Sequence, residues 1–237
     1  MTVTLHGLRH VERVMGTAVS FDVRMPAAAA AVRGAVEYLH WVDETFSVYR
    51  ADSQISRIGR GELGADDAGS EVREVLVRCE ELREATDGWF DHEGGDAYGR
   101  PIDPSAYVKG WSIDRVAELL RFDGFDRFCV NAGGDVVAAG RPDGENPWRV
   151  GIRAGDGSDE IAAVVAVADA AVATSGTYER GTHIWSGRAR PATRPGSVTV
   201  MGPELGLADA LATAVFAAGG GVPSWLRRFP EYRLIVM

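Results

Sequence analysis

The sequence predicts an α+β fold with a largely antiparallel sheet, and three observations support this class. Helical patterns lie toward the two ends of the chain, whereas a run of short strand candidates occupies the middle. Turns rich in Gly, Pro, Asp and Asn separate these strands, which argues against alternating βαβ units. No internal repeat occurs at the periods that mark solenoids. We expect the 237 residues to form one domain that covers residues 1–237.

In the N-terminal half, the alternation of apolar and polar residues over Thr17–Val23 predicts a strand. An apolar stripe with helical spacing then runs from Ala27 to Phe46. A second helix is expected from its N-cap Ser70 to Gly88, which closes it. The stretches Arg60–Gly69 and His92–Pro104 are rich in Gly and Asp and are therefore predicted loops.

In the C-terminal half, a short helix is predicted over Ser112–Arg121, ending before Gly124. The Leu207–Ala214 run is expected to be a buried helix because it is almost entirely apolar. The predicted strands of this half are Arg127–Asn131, Asp135–Ala139, Trp148–Ile152, Ile161–Val167, Ala171–Thr174, Ser197–Met201 and Tyr232–Val236.

Composition and charge exclude several function classes. Hydrophobic residues make up 46% of the chain and the formal net charge is -9, so nucleic acid is not the expected partner. No window approaches the roughly 20 apolar residues of a membrane span. The N-terminus shows no signal peptide and no lipidated cysteine, and we expect a cytoplasmic protein. Cys79 and Cys129 lack metal-binding spacing and are expected to be buried free thiols.

One pair of polar residues interrupts the apolar Leu207–Ala214 run. Asp209 and Thr213 are four positions apart, so a helix places the carboxylate and the hydroxyl on one face. Two hard oxygen ligands of this kind suit Mg²⁺ or Ca²⁺, with substrate phosphates and water completing the shell. The simpler interpretation, which this segment alone favours, is an acidic residue near a helix N-terminus and an ordinary helix threonine.

Five further segments combine polar, aromatic and glycine residues in ways that a core does not require. A predicted loop around Lys109 would offer a cation and helix N-terminal N–H groups to an anion. The segments are Met15–Thr17, Phe46–Ser53, Thr86–Asp91, Asp103–Asp114 together with Asn131–Asp135, and Thr174–Arg180 together with His183 and Ile184.

Each segment also has a simpler interpretation when taken alone. Gly133-Gly134 is typical of a hairpin turn, and Lys109 is equally well explained as a solvated surface charge. Aromatic residues such as Tyr49, Trp89 and Phe90 more often belong to a core than to a ligand platform. A histidine in a loop, such as His183, is as often structural as catalytic.

The order of the motifs along the chain is more specific than any one of them. The succession from Met15 to Gly219 resembles that of the ApbE family, the FAD:protein FMN transferases. The motifs are Met-Gly-Thr, Phe-Ser-x-Tyr with Asp-Ser-x-Ile-Ser, Thr-x-Gly-x-Phe-Asp, Asp-x-Ser-x-x-x-Lys-Gly-x-x-x-Asp, Asn-x-Gly-Gly-Asp, Thr-Ser-Gly-x-Tyr-x-Arg with His-Ile, and Ala-Asp-Ala-x-x-Thr-Ala.

The resemblance implies a T-fold-like architecture with a mostly antiparallel sheet, packed helices and an FAD cleft between two lobes. Proteins of that family transfer the FMN half of FAD to a threonine or serine hydroxyl of an acceptor flavoprotein and release AMP. Two alternatives remain open: a metal-dependent FAD pyrophosphatase that gives FMN and AMP, and a non-catalytic FAD-binding protein. An acidic chain needs a cation to hold the FAD pyrophosphate, and a divalent metal supplies one.

The resemblance also assigns roles to individual residues. Asp209 and Thr213 match the metal ligands, with the backbone carbonyl of Ala106 as a third ligand and Ala212 as a further candidate. The expected ion is Mg²⁺, with Ca²⁺ as the alternative. His183 is the candidate general base and Asp209 the alternative. The residues expected to contact FAD are Met15, Tyr49, Trp89, Phe90, Asp91, Asp103, Lys109 and Ile184.

The chain departs from the family pattern after Ile184. The family usually continues with Asp-Pro and a glycine, whereas this chain continues with Trp185–Pro191. The departure keeps the non-catalytic alternative open. Many family members are exported lipoproteins, but this N-terminus has neither an export signal nor a lipobox. The expected partner is therefore a cytoplasmic flavoprotein that accepts FMN at a Ser/Thr-Gly-Ala-Thr type sequence.

Overall fold

The computed structural model describes residues 7–93, 101–154, 160–176 and 196–236, which form helices packed on an antiparallel sheet. The α-helices are α1 (Ala29–Phe46), α2 (Gln54–Gly59), α3 (Ser70–Ala85), α4 (Ser105–Phe122) and α5 (Leu205–Ala217). Short 3-10 helices cover Ala65–Asp67 and Ser224–Arg228. The strands are β1 (Leu8–Val14), β2 (Thr17–Val23), β3 (Phe128–Ala132), β4 (Asp135–Ala139), β5 (Trp148–Arg153), β6 (Ile161–Val167), β7 (Ala170–Gly176), β8 (Ser197–Gly202) and β9 (Arg233–Val236).

Seven strands form the main sheet in the order β1-β2-β3-β4-β7-β8-β9, and every neighbouring pair is antiparallel. Strands β5 and β6 pair only with each other among the described strands and make a separate hairpin. This mixed helical and antiparallel architecture confirms the predicted fold class. None of the helices in the described ranges combines the length and the apolar character needed to cross a bilayer.

The two faces of the main sheet are covered by different elements. On β4, Val137 and Ala139 face the large core that α1, α4 and α5 share with the sheet. The alternate residues Val136 and Ala138 face a smaller cluster with Trp148 and other residues of the β5–β6 hairpin. Because successive strand residues point to opposite faces, a central strand covered on both sides is buried throughout. All five residues of β4 are indeed buried.

Most strand predictions agree with the structure to within one or two residues, but strand β1 and helix α2 were not predicted. Strand β1 was missed because it is an edge strand whose charged residues, including Arg9, Glu12 and Arg13, obscure the apolar alternation. Helix α2 was missed because it has only six residues. Cys79 is buried as predicted, whereas the prediction for Cys129 was wrong because this residue is only half-buried.

The largest error concerns the start of α4. The sequence predicted a loop up to Ser112, but the helix begins at Ser105 and continues for 18 residues. Gly110 does not interrupt the helix. Its role is instead to allow close contact with α5, since a Cβ atom at this position would lie 2.5 Å from the Leu205 carbonyl oxygen. Lys109 is therefore presented by a helix and not by a loop.

Candidate active site at one end of the sheet

Two hairpin turns that carry sequence motifs meet at one end of the main sheet. Met15 and Gly16 join β1 to β2, and both have a positive φ, as a two-residue hairpin turn of type I′ requires. Gly133 in the β3–β4 turn has φ 60° and donates its N–H to the Ala18 carbonyl at 3.1 Å. A Cβ atom on Gly133 would lie 2.5 Å from Thr17 Oγ1, so glycine is required for the approach.

Helices α4 and α5 cross in close contact beside this end of the sheet. Glycine lies at the crossing on both helices, Gly110 on α4 and Gly206 on α5. The Asp114 carboxylate accepts hydrogen bonds from the N–H groups of Leu205 and Gly206, both at 2.8 Å, and so caps the first turn of α5. Burial raises the pKa of Asp114 to about 6 in spite of these bonds.

A buried charge cluster joins α4, α5 and β4. The Lys109 ammonium contacts Asp135 Oδ2 and lies 3.5 Å from Asp209 Oδ2. Asp135 is 1% exposed and Asp209 is 3% exposed. Asp135 reaches this position because it has the same parity on β4 as Val137 and Ala139, which face the helices. The backbone N–H of Thr174 donates to Asp135 Oδ1 at 2.9 Å and fixes the carboxylate.

Thr213 lies one turn beyond Asp209 on α5, as the sequence predicted. Its hydroxyl shares a 3.1 Å hydrogen bond with the hydroxyl of Ser175, which projects from the helix-facing side of β7. The contacts of Asp114 with Leu205 and of Lys109 with Asp209 show that α4 and α5 run in opposite directions. Ala106, one turn before Lys109, therefore lies toward the same end of the helix pair as Thr213.

The three groups that the sequence predicted as metal ligands suit a hard cation better than a transition metal. They are the carboxylate of Asp209, the hydroxyl of Thr213 and the carbonyl of Ala106, and all would donate oxygen atoms. The two buried carboxylates share one ammonium, so the three groups carry a formal net charge of −1. Within the described ranges, no group of three His, Cys, Asp or Glu residues is placed to hold a metal ion.

A pocket of about 550 Å³ opens beside Lys109. Its walls come from the β1–β2 turn, the end of α1 and the first turns of α4. The loop after α1 carries Tyr49, which is 80% exposed, and the Ser53 hydroxyl steadies this loop by donating to the Ser47 carbonyl at 2.7 Å. The lining residues are Met15, Gly16, Val42, Asp43, Phe46, Ser47, Val48, Tyr49, Arg50, Ser105, Val108 and Lys109.

The structure thus brings together three of the residues predicted to contact FAD, namely Met15, Tyr49 and Lys109. Trp89, Phe90, Asp91 and Asp103 are not among the described residues that line this pocket.

These four residues belong to a neighbouring region in which the Asp103 N–H donates to the His92 carbonyl at 2.8 Å. Phe90 is 2% exposed and belongs to the large core. Trp89 is half-buried against the same core. The Asp103 carboxylate accepts the Ser105 N–H at 3.0 Å just before α4 begins.

His183 and Ile184 lie outside the described residues, as does the divergent Trp185–Pro191 segment. Asp135 and Ser175 lie in segments that the sequence analysis singled out, but neither was predicted as a site residue. The Gly-Gly-Asp motif did signal Asp135, but its partner Lys109 is distant in sequence. Ser175 similarly meets Thr213 across 38 positions.

Comparisons with known proteins agree with this architecture. The model of the ApbE family matches residues 15–99 and 96–235. A curated FAD:protein FMN transferase of Treponema pallidum is 32% identical over 184 residues, 67% of this chain and 51% of that protein. One from Rhodobacter capsulatus is 37% identical over 127 residues, 50% of this chain and 24% of that protein. The chain thus spans about half the length of the first relative and a quarter of the second.

Solved structures share the fold at lower sequence identity. The flavin transferase ApbE from Vibrio cholerae superposes with a TM-score of 0.83 at 21% identity, covering 98% of this chain and 93% of that one. The ApbE protein from Thermotoga maritima gives 0.83 at 22% identity, covering 98% and 94%. The family model covers most of the chain, and the fold agrees with these structures. The chain therefore belongs to the ApbE family.

Proposed function

We propose that this protein is an FAD:protein FMN transferase that forms one domain over residues 1–237. In the proposed reaction it transfers the FMN half of FAD to a threonine or serine hydroxyl of an acceptor flavoprotein, with Mg²⁺ as cofactor, and releases AMP. The observation that carries the proposal is the Lys109–Asp135–Asp209 charge cluster, which borders the 550 Å³ pocket through Lys109. Family membership and the names of the curated relatives support it independently.

The pocket offers what one half of a dinucleotide needs. Met15, Phe46 and Val108 provide apolar surface, and Tyr49 brings an aromatic ring to the pocket wall, where it suits a flat heterocycle. Lys109 at its border supplies a cation for the phosphates. We assign the adenosine side to the neighbouring region with Asp103, Trp89 and Asp91, where Phe90 would contribute its backbone because its side chain is buried in the core. We assign a further FAD contact to Ile184.

The fit to a divalent cation follows from charge and donor chemistry. Asp209, Thr213 and the Ala106 carbonyl would hold Mg²⁺, with Ca²⁺ as the alternative ion. The formal charge of −1 that remains on the cluster favours an additional cation. When bound, the ion would neutralise phosphate charge and polarise the phosphorus. With a single carboxylate ligand, the ion depends on the substrate phosphates and water to complete its shell.

The chain's own residues then position the reacting groups. The acceptor hydroxyl oxygen forms a bond to the phosphorus of the FMN half as the bond from that phosphorus to the AMP oxygen breaks. The hydroxyl proton passes to a general base, for which His183 is the first candidate and Asp209 the alternative. Lys109 stabilises the charge of the pyrophosphate and of the departing AMP. Positioning and charge stabilisation account for most of the rate in such transfers.

The test is to incubate the protein with FAD, Mg²⁺ and an acceptor domain that carries a Ser/Thr-Gly-Ala-Thr sequence. Mass spectrometry of the acceptor measures covalent FMN, and chromatography measures AMP. We expect both products in equal amounts, and neither when EDTA is added or when the acceptor hydroxyl residue is replaced by alanine. Free FMN and AMP without an adduct on any acceptor would instead identify a pyrophosphatase. Unchanged FAD would indicate a non-catalytic binder.

A further inference from the structure

Asp135 is held more rigidly than a surface carboxylate, although no substrate role falls to it. It is the first residue of β4 and follows directly on the Gly133-Gly134 turn. Its Oδ1 atom accepts the Thr174 N–H at 2.9 Å, and its Oδ2 atom contacts the Lys109 ammonium. With 1% of its surface exposed, it has almost no water to stabilise its charge. A buried carboxylate of this kind depends on a nearby cation.

Lys109 is in contact with one carboxylate and only near the other. Its ammonium touches Asp135 Oδ2 but lies 3.5 Å from Asp209 Oδ2. The first contact is a close ion pair, whereas the second is longer than a typical charge-assisted hydrogen bond. Lys109 therefore neutralises Asp135 more than it neutralises Asp209.

The Lys109 side chain is long enough for its ammonium to move from Asp135 to Asp209. It is flexible, 21% exposed on the side chain and borders the pocket. Its ammonium forms ion pairs with Asp135 and Asp209. If Asp135 lost its charge, Asp209 would be the remaining carboxylate partner in this set, and the ammonium would move onto it. The ammonium would then lie against the Asp209 carboxylate, where the divalent cation is proposed to bind.

We propose that Asp135 is a positioning residue that holds the Lys109 ammonium closer to itself than to Asp209 and so limits its competition with a divalent cation for the Asp209 carboxylate. This inference rests on the metal site of the proposed function. In this role, Asp135 influences whether the Lys109 ammonium or a divalent cation pairs with Asp209. Asp135 itself would contact neither the metal nor the substrate. The same arrangement keeps the ammonium close to the pocket where the substrate phosphates would lie.

Binding of Mn²⁺, a spectroscopic substitute for Mg²⁺, tests the inference by electron paramagnetic resonance without any turnover. The variants are Asp135→Asn, Lys109→Met and the double variant. Asparagine retains an acceptor for the Thr174 N–H while removing the charge. We expect Asp135→Asn to weaken Mn²⁺ binding by about tenfold or more, since close buried charge pairs couple by at least this amount.

The double variant distinguishes positioning from a general structural role. Removal of the ammonium as well should restore Mn²⁺ affinity to within about threefold of the wild type, because the ammonium then no longer competes for Asp209. Lys109→Met alone should bind Mn²⁺ at least as tightly as the wild type. Asp22→Asn is the matched control, because it removes a carboxylate on β2 that pairs with Arg9 and Arg24. Circular dichroism melting establishes the folded fraction of every variant.

Several outcomes would overturn the inference. Asp135→Asn with wild-type Mn²⁺ affinity would do so, as would a double variant as weak as Asp135→Asn. If Asp135→Asn does not fold, Lys109→Met decides, because weaker Mn²⁺ binding in this variant contradicts the proposed competition. Each titration is repeated with ADP, whose phosphates supply additional ligands. Wild-type protein that binds no Mn²⁺ under either condition would overturn the metal site itself, whereas wild-type binding with the wrong variant pattern overturns this inference alone.

Discussion

The two faces of the central strands β4 and β7 differ in chemistry. Successive residues of each strand point to opposite faces, so both faces are formed by the same short segments. On the helix side, Asp135 begins β4 and contacts Lys109, and Ser175 lies near the end of β7 and contacts Thr213. On the hairpin side, Val136, Ala138 and Val172 pack against Trp148 and Val167. The hairpin side has the composition of an ordinary core. The helix side carries buried charges at its end, which a stable core does not require.

This difference separates residues that hold the fold from residues held for chemistry. Substitutions on the hairpin side should change stability and leave the activity of folded molecules intact. Substitutions in the helix-side cluster should change activity much more than stability. Asp209→Ala and Trp148→Ala test the separation, and Gly110→Ala and Asp114→Asn test the contact between α4 and α5 on the helix side.

The largest effect is expected from Asp209→Ala. We expect turnover of FAD to fall by about 1000-fold or more, because the variant lacks the only carboxylate proposed to hold the metal. The measurement is the initial rate of AMP release with Mg²⁺ and acceptor. Thr199→Val is the control, since Thr199 pairs with Thr174 on the hairpin side and should retain the wild-type rate. Wild-type turnover in Asp209→Ala would contradict the assignment of the metal ligand.

Trp148→Ala should give the opposite pattern. Trp148 is 8% exposed and donates its indole N–H to the Ala139 carbonyl at 3.0 Å. Its truncation should lower the free energy of unfolding by about 3 to 5 kcal/mol, because a large cavity forms under the hairpin. Urea denaturation measures this loss. The rate of AMP release per folded molecule should not change, and a parallel loss of rate would mean that the two faces are not independent.

Gly110→Ala tests the helix contact that brings Lys109 and Asp209 together. The added Cβ atom would meet three backbone atoms of Leu205 and Gly206 at 2.5 to 2.7 Å, so the helices must separate. We expect a loss of about 3 kcal/mol in stability and a marked fall in turnover. Gly34→Ala is the matched control in an exposed position of α1, where nothing lies within 4 Å. It should be neutral or stabilising by up to about 1 kcal/mol.

Replacement of Asp114 by asparagine should change the pH dependence of stability. Burial raises the pKa of Asp114 from 3.8 to about 6, so the folded protein holds this proton more tightly than the unfolded chain. The contribution to stability is therefore present below about pH 4 and is lost as the pH rises to about 6.

Unfolding free energies of the wild type and Asp114→Asn, measured between pH 4 and 7, check this sign. We expect the wild type to lose on the order of 2 kcal/mol relative to the variant across that interval. A difference that is constant with pH, or that grows in the opposite direction, would contradict the raised pKa.

The sequence predicted the scaffold better than the site because the scaffold depends on local patterns. Alternation and Gly-rich turns predicted β4 and β6 with their observed bounds. Helical spacing placed Asp209 and Thr213 on one face of α5. By contrast, Gly110 has the local appearance of a helix breaker, and its tertiary contact with Leu205 is not visible in the sequence.

The predicted roles in FAD binding came from a resemblance, whereas the metal role of Asp209 and Thr213 came from their spacing as well, and all of these roles stay predictions. Local patterns did not predict the pairing of Asp135 with Lys109 or of Ser175 with Thr213, because both depend on how β4 and β7 pack against the helices. Met15 also shows what local sequence patterns do not predict. Its motif was recognised, but its positive φ and its place in the pocket wall follow from the turn that it forms.

The central claim is that a nucleotide pyrophosphate and a divalent cation meet at the charge cluster of α4, α5 and β4. An anomalous difference map from crystals grown with FAD and Mn²⁺ tests it directly. We predict one strong peak about 2.1 Å from an Asp209 carboxylate oxygen, with density for phosphates beside Lys109 and a ring system in the 550 Å³ pocket. A nucleotide and metal bound together at another surface, with the Asp209 carboxylate contacting neither, would contradict the account.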